Sequence, residues 1–306
     1  MILSCGECLI DMLPRRSAAG EDCFAPYPGG ALFNTAIATA RLGLETGFVS
    51  GISTDFFGRM LVDRLAASGV DSGRSIRSGR PTTLAFVRLV DGQASYTFYD
   101  QMSALRMLTP ADLPDIPGEV TAMVFGCISL VAEPCADFFE ALMMREAEHR
   151  VILLDPNIRA GFVTDEAGYR ARLDRMIAAA DIVKLSDEDL HWLMGPGDEK
   201  ALALHILDNG PRAVCVTRGA DGIAGYTADA EVFAPAGKVT VVDTVGAGDT
   251  VNAGILVALE RAGLLSKDRI AGIGAEALGA ALAFAARAAA ITVSRAGANP
   301  PWASEL

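Results

Sequence analysis

The chain has 306 residues, of which 51% are hydrophobic and 21% are charged, so it holds enough apolar material for a large globular core. A formal net charge of −12 at pH 7, with no block of Lys and Arg, argues against a nucleic-acid partner, because a phosphate backbone demands a basic surface. We find no apolar run long enough to span a membrane, since Glu276 and Arg287 interrupt the Ala-rich segment near the C-terminus.

The N-terminal segment and the cysteines bear on the compartment. Residues 1–7 lack the basic region of a signal peptide and have the pattern of a β-strand. Six cysteines scattered over a chain of this length are more typical of reduced thiols than of a disulfide framework. We therefore expect a cytoplasmic protein.

Short β-rich apolar runs alternate with helical patterns along most of the chain. The predicted strands are Ile2–Cys5, Gly47–Ser50, Ala122–Phe125, Val151–Leu154, Ile182–Leu185, Ala213–Thr217 and Val239–Val242. The predicted helices include Ala31–Leu42, Gly58–Ser68, Cys135–Glu148, Tyr169–Ala179 and a segment over about 248–262. This alternation predicts a three-layer α/β domain, in which helices cover both faces of a parallel sheet. Ligands of such sheets bind at the carboxyl ends of the strands.

One part of the chain departs from this alternation. In Thr82–Val90 and Ala94–Tyr99, β-branched and aromatic residues alternate with polar ones, and Asp91-Gly92 between them is a hairpin signal. Because two strands alone are marginally stable, we expect them to pair with strands from residues 12–28 in a small sheet. The sequence thus predicts a single domain over 1–306, with insertions at about 12–28 and 82–100 that form a lid, a dimer surface or both.

The segment from Asp243 to Thr250 carries the strongest functional signal. Its turn Gly246-Ala247-Gly248 opens a helix, and the unpaired N–H groups at a helix N-terminus bind anions. Asp249 lies in the first helical turn, so a carboxylate would stand beside the bound anion. Phosphoryl transfer to a hydroxyl needs a phosphate site combined with a base.

Four further segments fall at predicted strand ends or turns, where polar groups or bare backbone can meet a ligand. They are Asp11, Gly29-Gly30 with Asn34, Asp155-Pro156-Asn157 with Arg159, and Thr217-Arg218-Gly219-Ala220-Asp221-Gly222. Asp11 and Asn34 are suited to sugar hydroxyls, and Arg159 is suited to a phosphate or a substrate oxygen. Each segment also has an ordinary explanation as a turn, a helix start or a solvated side chain, so spacing alone leaves both interpretations open.

Taken together and in this order, the five segments resemble the PfkB family of carbohydrate kinases, also called the ribokinase family. The resemblance extends over about residues 3–302. Its signature regions are Gly29-Gly30-x-x-x-Asn34 and Asp243-Thr244-x-Gly246-Ala247-Gly248-Asp249, of which the second is specific. Within the family, the chain resembles bacterial fructokinases. The segments that carry this likeness are 6–13, 155–159, 184–189 and 293–302.

The resemblance implies a ribokinase-like, Rossmann-like fold with a β-sheet lid that forms a homodimer surface. It also implies transfer of phosphate from ATP, with magnesium, to a primary hydroxyl of a ketose, fructose being the first choice. The implied catalytic residues are Asp249 as the general base and Gly246, Ala247 and Gly248 as the anion hole. The implied sugar-binding residues are Asp11, Gly29, Gly30 and Asn34, to which we add Arg159 as a predicted substrate contact. The implied nucleotide-binding residues are Lys184, Thr217, Gly219 and Gly222. A potassium-like cation is implied at oxygens of Asp243, Val245, Thr292, Arg295 and Gly297.

Two departures from the family pattern concern the ions. Many members have Asn-x-x-Glu after the lysine, where this chain has Ser186 and Asp189, so direct metal organisation through that motif is not expected. Pro301 stands where ribokinases have a serine of the cation site, which makes the monovalent cation a weaker expectation than the kinase activity.

Three competing hypotheses remain open from the sequence. A 2-keto-3-deoxygluconate kinase is the nearest, because Arg159 can pair with a substrate carboxylate. A catalytically silent sugar- or nucleotide-binding protein on the same fold is the second, and the intact turn with Asp249 argues against it. An NAD-dependent dehydrogenase is disfavoured, because Val251 stands where the third glycine of the dinucleotide fingerprint belongs.

Overall fold

The protein is described from a computed structural model over residues 1–90 and 93–306. The strands are β1 (Ile2–Cys5), β2 (Leu9–Arg16), β3 (Asp22–Gly29), β4 (Thr46–Val49), β5 (Gly51–Ser53), β6 (Val70–Asp71), β7 (Ile76–Ser78), β8 (Leu84–Val90), β9 (Gln93–Tyr99), β10 (Ala122–Gly126), β11 (Val151–Asp155), β12 (Ile182–Ser186), β13 (Ala213–Thr217), β14 (Gly222–Tyr226) and β15 (Glu231–Pro235). The helices are α1 (Ala31–Arg41), α2 (Phe56–Ala66), α3 (Cys135–Glu146), α4 (Glu166–Ala179), α5 (Asp187–Met194), α6 (Glu199–Asp208), α7 (Ala247–Arg261), α8 (Lys267–Ile270) and α9 (Ala275–Val293).

Nine strands form the central sheet, in the order β15-β14-β13-β12-β11-β10-β1-β4-β6. The strands from β13 to β6 are parallel, as predicted, but β14 and β15 add an antiparallel edge. The cause is the short connection between Thr217 and Gly222, since a parallel crossover needs a dozen or more residues. The chain therefore turns back on itself after β13, and the expectation of a purely parallel sheet is corrected to a mixed one.

Apolar side chains fill both faces of the central sheet. In β10, Ala122 and Val124 belong to one buried cluster, while Met123 and Phe125 belong to a second cluster on the opposite face. Residues of α1, α2, α7 and α9 complete the first cluster, and residues of α3, α4 and α6 complete the second. This alternation along a strand produces the three layers and confirms the predicted fold class.

The predicted strand Val239–Val242 is wrong. Three of its residues are largely exposed, with Val239 at 42% and both Val241 and Val242 at 60%. The N–H of Val242 donates to the carbonyl oxygen of Val293, which belongs to a helix rather than to a neighbouring strand. A β-rich run becomes a strand only where it pairs with another strand, and this run is instead tied to the C-terminal end of α9.

The helix α9 meets the length and hydropathy of a membrane span, contrary to the expectation that no run does. In the fold it packs against α7 so closely that a Cβ on Gly254 would lie 2.5 Å from the Cα of Ala285. Ala253 and Val257 of α7 share a buried cluster with Phe284 and Ala288 of α9. The apolar character of α9 therefore has an explanation in helix–helix packing.

Four strands form a small sheet in the order β3-β2-β8-β9, which confirms the predicted small sheet beside the main one. The strand β2 pairs antiparallel with β3 and parallel with β8, and β8 pairs antiparallel with β9. The strands β2 and β3 extend from Leu9 to Gly29, so they begin before and end after the predicted insertion at 12–28. The predicted turn Asp91-Gly92 lies outside the described residues.

Candidate active site

The segment predicted as an anion site forms the N-terminus of α7. Gly246 is the residue that precedes the helix, in a left-handed conformation with a φ of 79°. A Cβ at this position would lie 2.8 Å from the Cβ of Ala298, so both the conformation and the space require glycine. Gly246 has no side chain to cap α7, and the N–H of Ala247 donates to the carbonyl oxygen of Thr244 at 3.3 Å, whereas the N–H groups of Gly248 and Asp249 have no partner among the described residues and can bind an anion.

Asp249 is buried in the first turn of α7, at 7% exposure. The Nδ2 of Asn34 donates a hydrogen bond of 2.9 Å to its Oδ2. Burial, reinforced by the negative charge of Asp155, raises the pKa of Asp249 to about 7, although the hydrogen bond from Asn34 opposes the shift. A carboxyl group that titrates near neutral pH is well matched to general-base chemistry.

Lys184 lies beneath the anion turn. It is 4% exposed, and its Nζ stands 3.1 Å from the Oδ2 of Asp155, which also accepts a 2.7 Å hydrogen bond from Nδ2 of Asn252. A Cβ on Gly248 would lie 3.0 Å from the same Nζ. Burial lowers the pKa of Lys184, but the charge of Asp155 outweighs it and the pKa is raised, so the lysine is charged. A fixed positive charge therefore stands next to the N–H groups of α7.

The predicted sugar-binding residues lie on adjoining elements. Asp11 lies within β2 rather than in a loop, and burial raises its pKa to about 6. A Cβ on Gly29 would lie 2.3 Å from its Oδ2, and Gly30 begins α1 with a φ of 115°. The carbonyl oxygen of Gly30 accepts the N–H of Asn34 at 2.9 Å, and Asn34 in turn contacts Asp249. The structure thus links these residues into one continuous set.

Arg159 is exposed and lies at the end of the loop that follows β11. Its Nη1 donates to the carbonyl oxygen of Ile158 at 3.2 Å. Partial desolvation lowers its pKa, but nearby negative charges, including those of Asp189, Asp249 and Asp155, outweigh this effect and raise it. The guanidinium is thus a positive group at the mouth of an acidic site.

The predicted nucleotide turn is the connection between β13 and β14. The hydroxyl of Thr217 donates to the carbonyl oxygen of Leu185 at 3.3 Å. Gly219 has a φ of 51°, and Gly222 has a φ of 136° with Ala234 only 2.2 Å from where a Cβ would stand. These glycines are required by the reversal of the chain, so contact with a nucleotide stays a prediction.

The residues predicted for a monovalent cation are only partly brought together. The carboxylate of Asp243 accepts N–H groups of Val245 at 3.0 Å and Gly297 at 2.9 Å, which ties two loops together. The hydroxyl of Thr292 bonds within the helices, and the guanidinium of Arg295 pairs with a carboxylate near the C-terminus. Because their side chains are already engaged, Thr292 and Arg295 would bind an ion through their backbone oxygens.

A divalent cation requires oxygen ligands that are free to bind it. Ser186 and Asp189 cap the N-terminus of α5, and Asp189 also accepts the N–H of Ile158 at 3.0 Å, so both are engaged by the backbone. The Oδ1 of Asp155 is buried without a hydrogen-bond partner among the described residues. Magnesium is commonly held by one or two carboxylates together with phosphate oxygens, and Asp155 fits that requirement better than Ser186.

Sequence reasoning missed two side chains of this site. Asn252 lies one turn after Asp249 on the same helix face, so helical spacing alone would have found it. Glu7 is fully buried and its Oε1 accepts the N–H of Ala31 at 2.6 Å. Nothing in the spacing of the sequence indicates this second contact, because it joins two elements that meet only in the fold.

A cavity of about 240 Å³ lies between the small sheet and the main domain. Its lining includes Phe98 of β9, Phe162, Arg106 and Ile128. The rings of Phe98 and Phe162 meet edge to face, with centroids 4.6 Å apart. The cavity is therefore bounded by the small sheet on one side and by loop and helix residues that follow β10 and β11 on the other.

A helix N-terminus open to an anion, with a lysine beneath it and a buried carboxylate that titrates near neutral pH, is the arrangement of a phosphotransferase with a hydroxyl acceptor. The sequence pattern of the pfkB family of carbohydrate kinases matches residues 1–305. The chain therefore belongs to the PfkB family, and the resemblance inferred from its motifs is confirmed.

Individual relatives agree with this assignment. The chain is 54% identical over 278 residues, 91% of its length and 85% of the relative, to a fructokinase of Rhizobium leguminosarum bv. trifolii. It is similar to the crystal structure of a fructokinase with bound ATP from Xylella fastidiosa, with a TM-score of 0.87, 30% identity and coverage of 97% of this chain and 93% of that one. A fructokinase from Vibrio cholerae O395 bound to fructose, ADP and calcium gives a TM-score of 0.84 at 26% identity, covering 97% of this chain and 94% of that one.

Proposed function

We propose that this kinase transfers the γ-phosphoryl group of ATP to a primary hydroxyl of fructose, with Asp249 as the general base. The observation that carries the proposal is the position of Asp249. Its buried carboxyl group has a pKa of about 7 and stands in the first turn of a helix whose N-terminus is open to an anion. The similarity to fructokinases, one of them bound to ATP and another to fructose and ADP, supports the choice of both substrates.

The sugar is held at the junction of the small sheet and α1. Asp11 and Asn34 bind its hydroxyl groups, because a carboxylate accepts hydrogen bonds and an amide both donates and accepts them. Gly29 and Gly30 keep this junction free of side chains, so that the ring can approach the backbone. Arg159 faces the same substrate and contributes a positive charge at the mouth of the site.

Transfer proceeds through a loose transition state, so positioning and charge neutralisation carry most of the catalysis. The N–H groups at Gly246, Ala247 and Gly248 face the oxygens of the phosphoryl group in flight, and Lys184 adds a fixed positive charge beneath them. Asp249 accepts the proton of the attacking hydroxyl as the new P–O bond forms. Its pKa near 7 keeps a useful fraction ionised at neutral pH.

The nucleotide lies along Lys184, Thr217, Gly219 and Gly222, at the carboxyl ends of β12 and β13. Magnesium, when bound with ATP, neutralises charge on the phosphate oxygens, and Asp155 is the carboxylate of this chain that fits it. We place a potassium-like ion at backbone and carboxylate oxygens of Asp243, Val245, Thr292, Arg295 and Gly297. The joining of Asp243 to Gly297 supports that position.

The whole chain, 1–306, acts as one kinase domain in the cytoplasm, with the small sheet as its lid. The free state of all six cysteines supports a reducing compartment. The outer face of the small sheet carries Phe24, Phe86 and Tyr99 in edge-to-face contacts, and Phe24 and Tyr99 are 44% and 61% exposed. We propose that a second copy of the chain covers this face, which sedimentation would reveal as a homodimer.

The test of the function is ADP release from ATP and magnesium with a panel of sugars. We expect fructose to be the preferred acceptor, and NMR should place the phosphate on a primary carbon. Asp249→Asn should lower kcat by about 10²–10⁴-fold, the usual contribution of a general base. Glu188→Gln, a change of an exposed carboxylate on α5, is the control and should leave turnover intact. Near-normal turnover by Asp249→Asn would contradict the assigned base.

The same panel distinguishes the competing hypotheses. Preference for 2-keto-3-deoxygluconate over fructose, abolished by Arg159→Ala, would favour the sugar-acid kinase. Absence of ATP consumption with every sugar would favour a silent binding protein. The fructose proposal requires that Arg159→Ala still phosphorylates fructose better than the sugar acid.

A further inference from the structure

Glu7 is a buried carboxylate that none of the steps above uses. It follows β1 at the carboxyl end of the central sheet, and its side chain is 0% exposed. Its Oε1 accepts hydrogen bonds from the N–H of Ala31 at 2.6 Å and of Leu32 at 3.3 Å. Both donors belong to the first turn of α1, where a helix leaves N–H groups unpaired.

The helix α1 receives no cap from its own sequence. Its N-cap residue is Gly30, which has no side chain and so makes no capping hydrogen bond. A Cβ on Gly30 would lie 2.7 Å from the carbonyl oxygen of Glu7 and 3.2 Å from its Cγ. Glu7 therefore excludes a capping side chain at this position and replaces it with its own carboxylate. A negative charge there also interacts favourably with the helix dipole.

The turn that Glu7 caps carries Asn34. The N–H of Asn34 donates to Gly30 at 2.9 Å, and its side-chain Nδ2 donates to Asp249 at 2.9 Å. A hydrogen bond weakens steeply when its geometry is lost, so an unfastened first turn would release the amide from the carboxylate. Glu7 is thus connected to the general base through the first turn of α1 and the side chain of Asn34.

We propose that Glu7 is a positioning residue for phosphoryl transfer, which caps α1 and so holds the amide of Asn34 against Asp249. The inference rests on the proposed function, because it takes Asp249 as the general base. The role belongs to the side-chain oxygen of Glu7, because Oε1 accepts the backbone N–H groups of Ala31 and Leu32 in the first turn of α1.

The carboxyl group of Glu7 also affects the ionisation of Asp249. Oε2 is buried without a hydrogen-bond partner among the described residues. Burial raises the pKa of Glu7 to about 7 against the opposing effect of the backbone hydrogen bonds that it accepts, and the charge of Asp249 makes a smaller contribution in the same direction as burial. Because repulsion between two carboxylates is mutual, ionised Glu7 also favours the protonated form of Asp249. The other titratable or charged groups that interact with this pair include Asp155, Lys184, Arg159, Cys8, Cys127 and Cys135.

The test compares Glu7→Gln and Glu7→Ala with the wild-type chain. Gln keeps an oxygen acceptor for α1 and removes the charge, whereas Ala removes both. We expect Glu7→Ala to lower kcat roughly 10- to 100-fold through misplacement of the reacting groups, with a smaller effect on the KM for ATP. We expect Glu7→Gln to retain most of kcat and to shift the acid limb of kcat/KM to lower pH, because a negative charge beside Asp249 is gone.

Glu146→Gln is the matched control. Glu146 is also buried, at 6% exposure, but it pairs with Arg150 just before β11 and makes no contact with α1 or α7 among its described hydrogen bonds and ion pairs. It should lower the melting temperature and leave the pH profile in place. A capping role without catalytic consequence would likewise lower the melting temperature of the Glu7 variants and leave their pH profile and kcat at the wild-type values, which would overturn the inference.

A crystal structure of Glu7→Ala decides the inference without any assay of turnover. We expect the hydrogen bond between Asn34 and Asp249 to be lost, and its persistence at wild-type length would overturn the proposal. Failure of the proposed function has a different signature. It would appear as absent activity in the wild-type chain or full activity in Asp249→Asn, and the distance in the crystal would still report on Glu7.

Discussion

The ion pair between Lys184 and Asp155 allows a quantitative prediction. Both side chains are nearly inaccessible, at 5% and 3% exposure, and their N–O distance is 3.1 Å. Lys184→Met keeps the apolar stem and removes the charge, which leaves the carboxylate of Asp155 buried, with the amide of Asn252 as its remaining side-chain partner in the described part of the chain. Breaking a buried pair from one side costs about 3–5 kcal/mol of unfolding free energy. Since the entropy of unfolding is about 2.1 cal/mol/K per residue, a chain of 306 residues loses roughly 1.6 °C per kcal/mol, and we expect a melting temperature lower by about 5–8 °C.

Urea unfolding of the ligand-free protein measures this cost. The control is Lys200→Met, because Lys200 pairs with Glu231 at 2.9 Å and both side chains are about half exposed, at 55% and 46%, so the remaining carboxylate keeps contact with water. Its loss should be near 1 kcal/mol, in the range of a solvated pair. The double variant Asp155→Asn with Lys184→Met should recover most of the stability, because it leaves no lone charge. Wild-type stability of Lys184→Met would refute the reasoning, and so would a double variant no more stable than the single one.

Three further outcomes are expected. The pKa of Asp249 is raised, so its ionised form is lost as the pH falls through about 7. We therefore expect kcat/KM for fructose to drop about tenfold per pH unit below that value. A flat profile down to pH 5 would contradict the assignment of Asp249 as the base. Gly254→Ala should destabilise the protein by about 1–3 kcal/mol in urea unfolding, because the new methyl group would lie 2.5 Å from the backbone of Ala285. Gly279→Ala is the control, since its nearest neighbour would be 3.8 Å away, and it should stabilise the protein by about 0.5–1 kcal/mol. Replacement of potassium by choline should lower kcat if the loop of Asp243 holds a cation, and identical rates in both salts would remove that site from the proposal.

Several elements were predictable from local pattern. The strands Ile2–Cys5 and Ala213–Thr217 were predicted with the bounds that the structure gives, because apolar β-branched runs between turn residues are a local signal. The helix after the anion turn begins one residue before the predicted start, at Ala247. Glycines at this turn and at Gly30 were found for the same reason, since unusual backbone conformations restrict the residue type at one position.

Other elements were not predictable from local pattern, because their secondary structure depends on neighbours that are distant in sequence. Val239–Val242 and β14 are both short apolar runs, yet only β14 finds a strand to pair with. The glycines at Gly29 and Gly30 were assigned to ligand approach, but they also make room for Asp11 and Glu7. Sequence spacing cannot separate these causes, since the contacting groups belong to different elements.

The sequence by itself determined the family, the three-layer architecture and the presence of an anion-binding turn followed by a carboxylate. These depend on periodicity and on residue types at fixed short spacings, which local chemistry dictates. Only the tertiary structure decided the chemical state of that carboxylate. Asn34 and Asp249 are 215 residues apart in the chain and 2.9 Å apart in the fold, and the pKa of about 7 follows from burial by elements that meet there. Desolvation and charge–charge interaction are properties of the assembled site, so no spacing in the sequence can specify them.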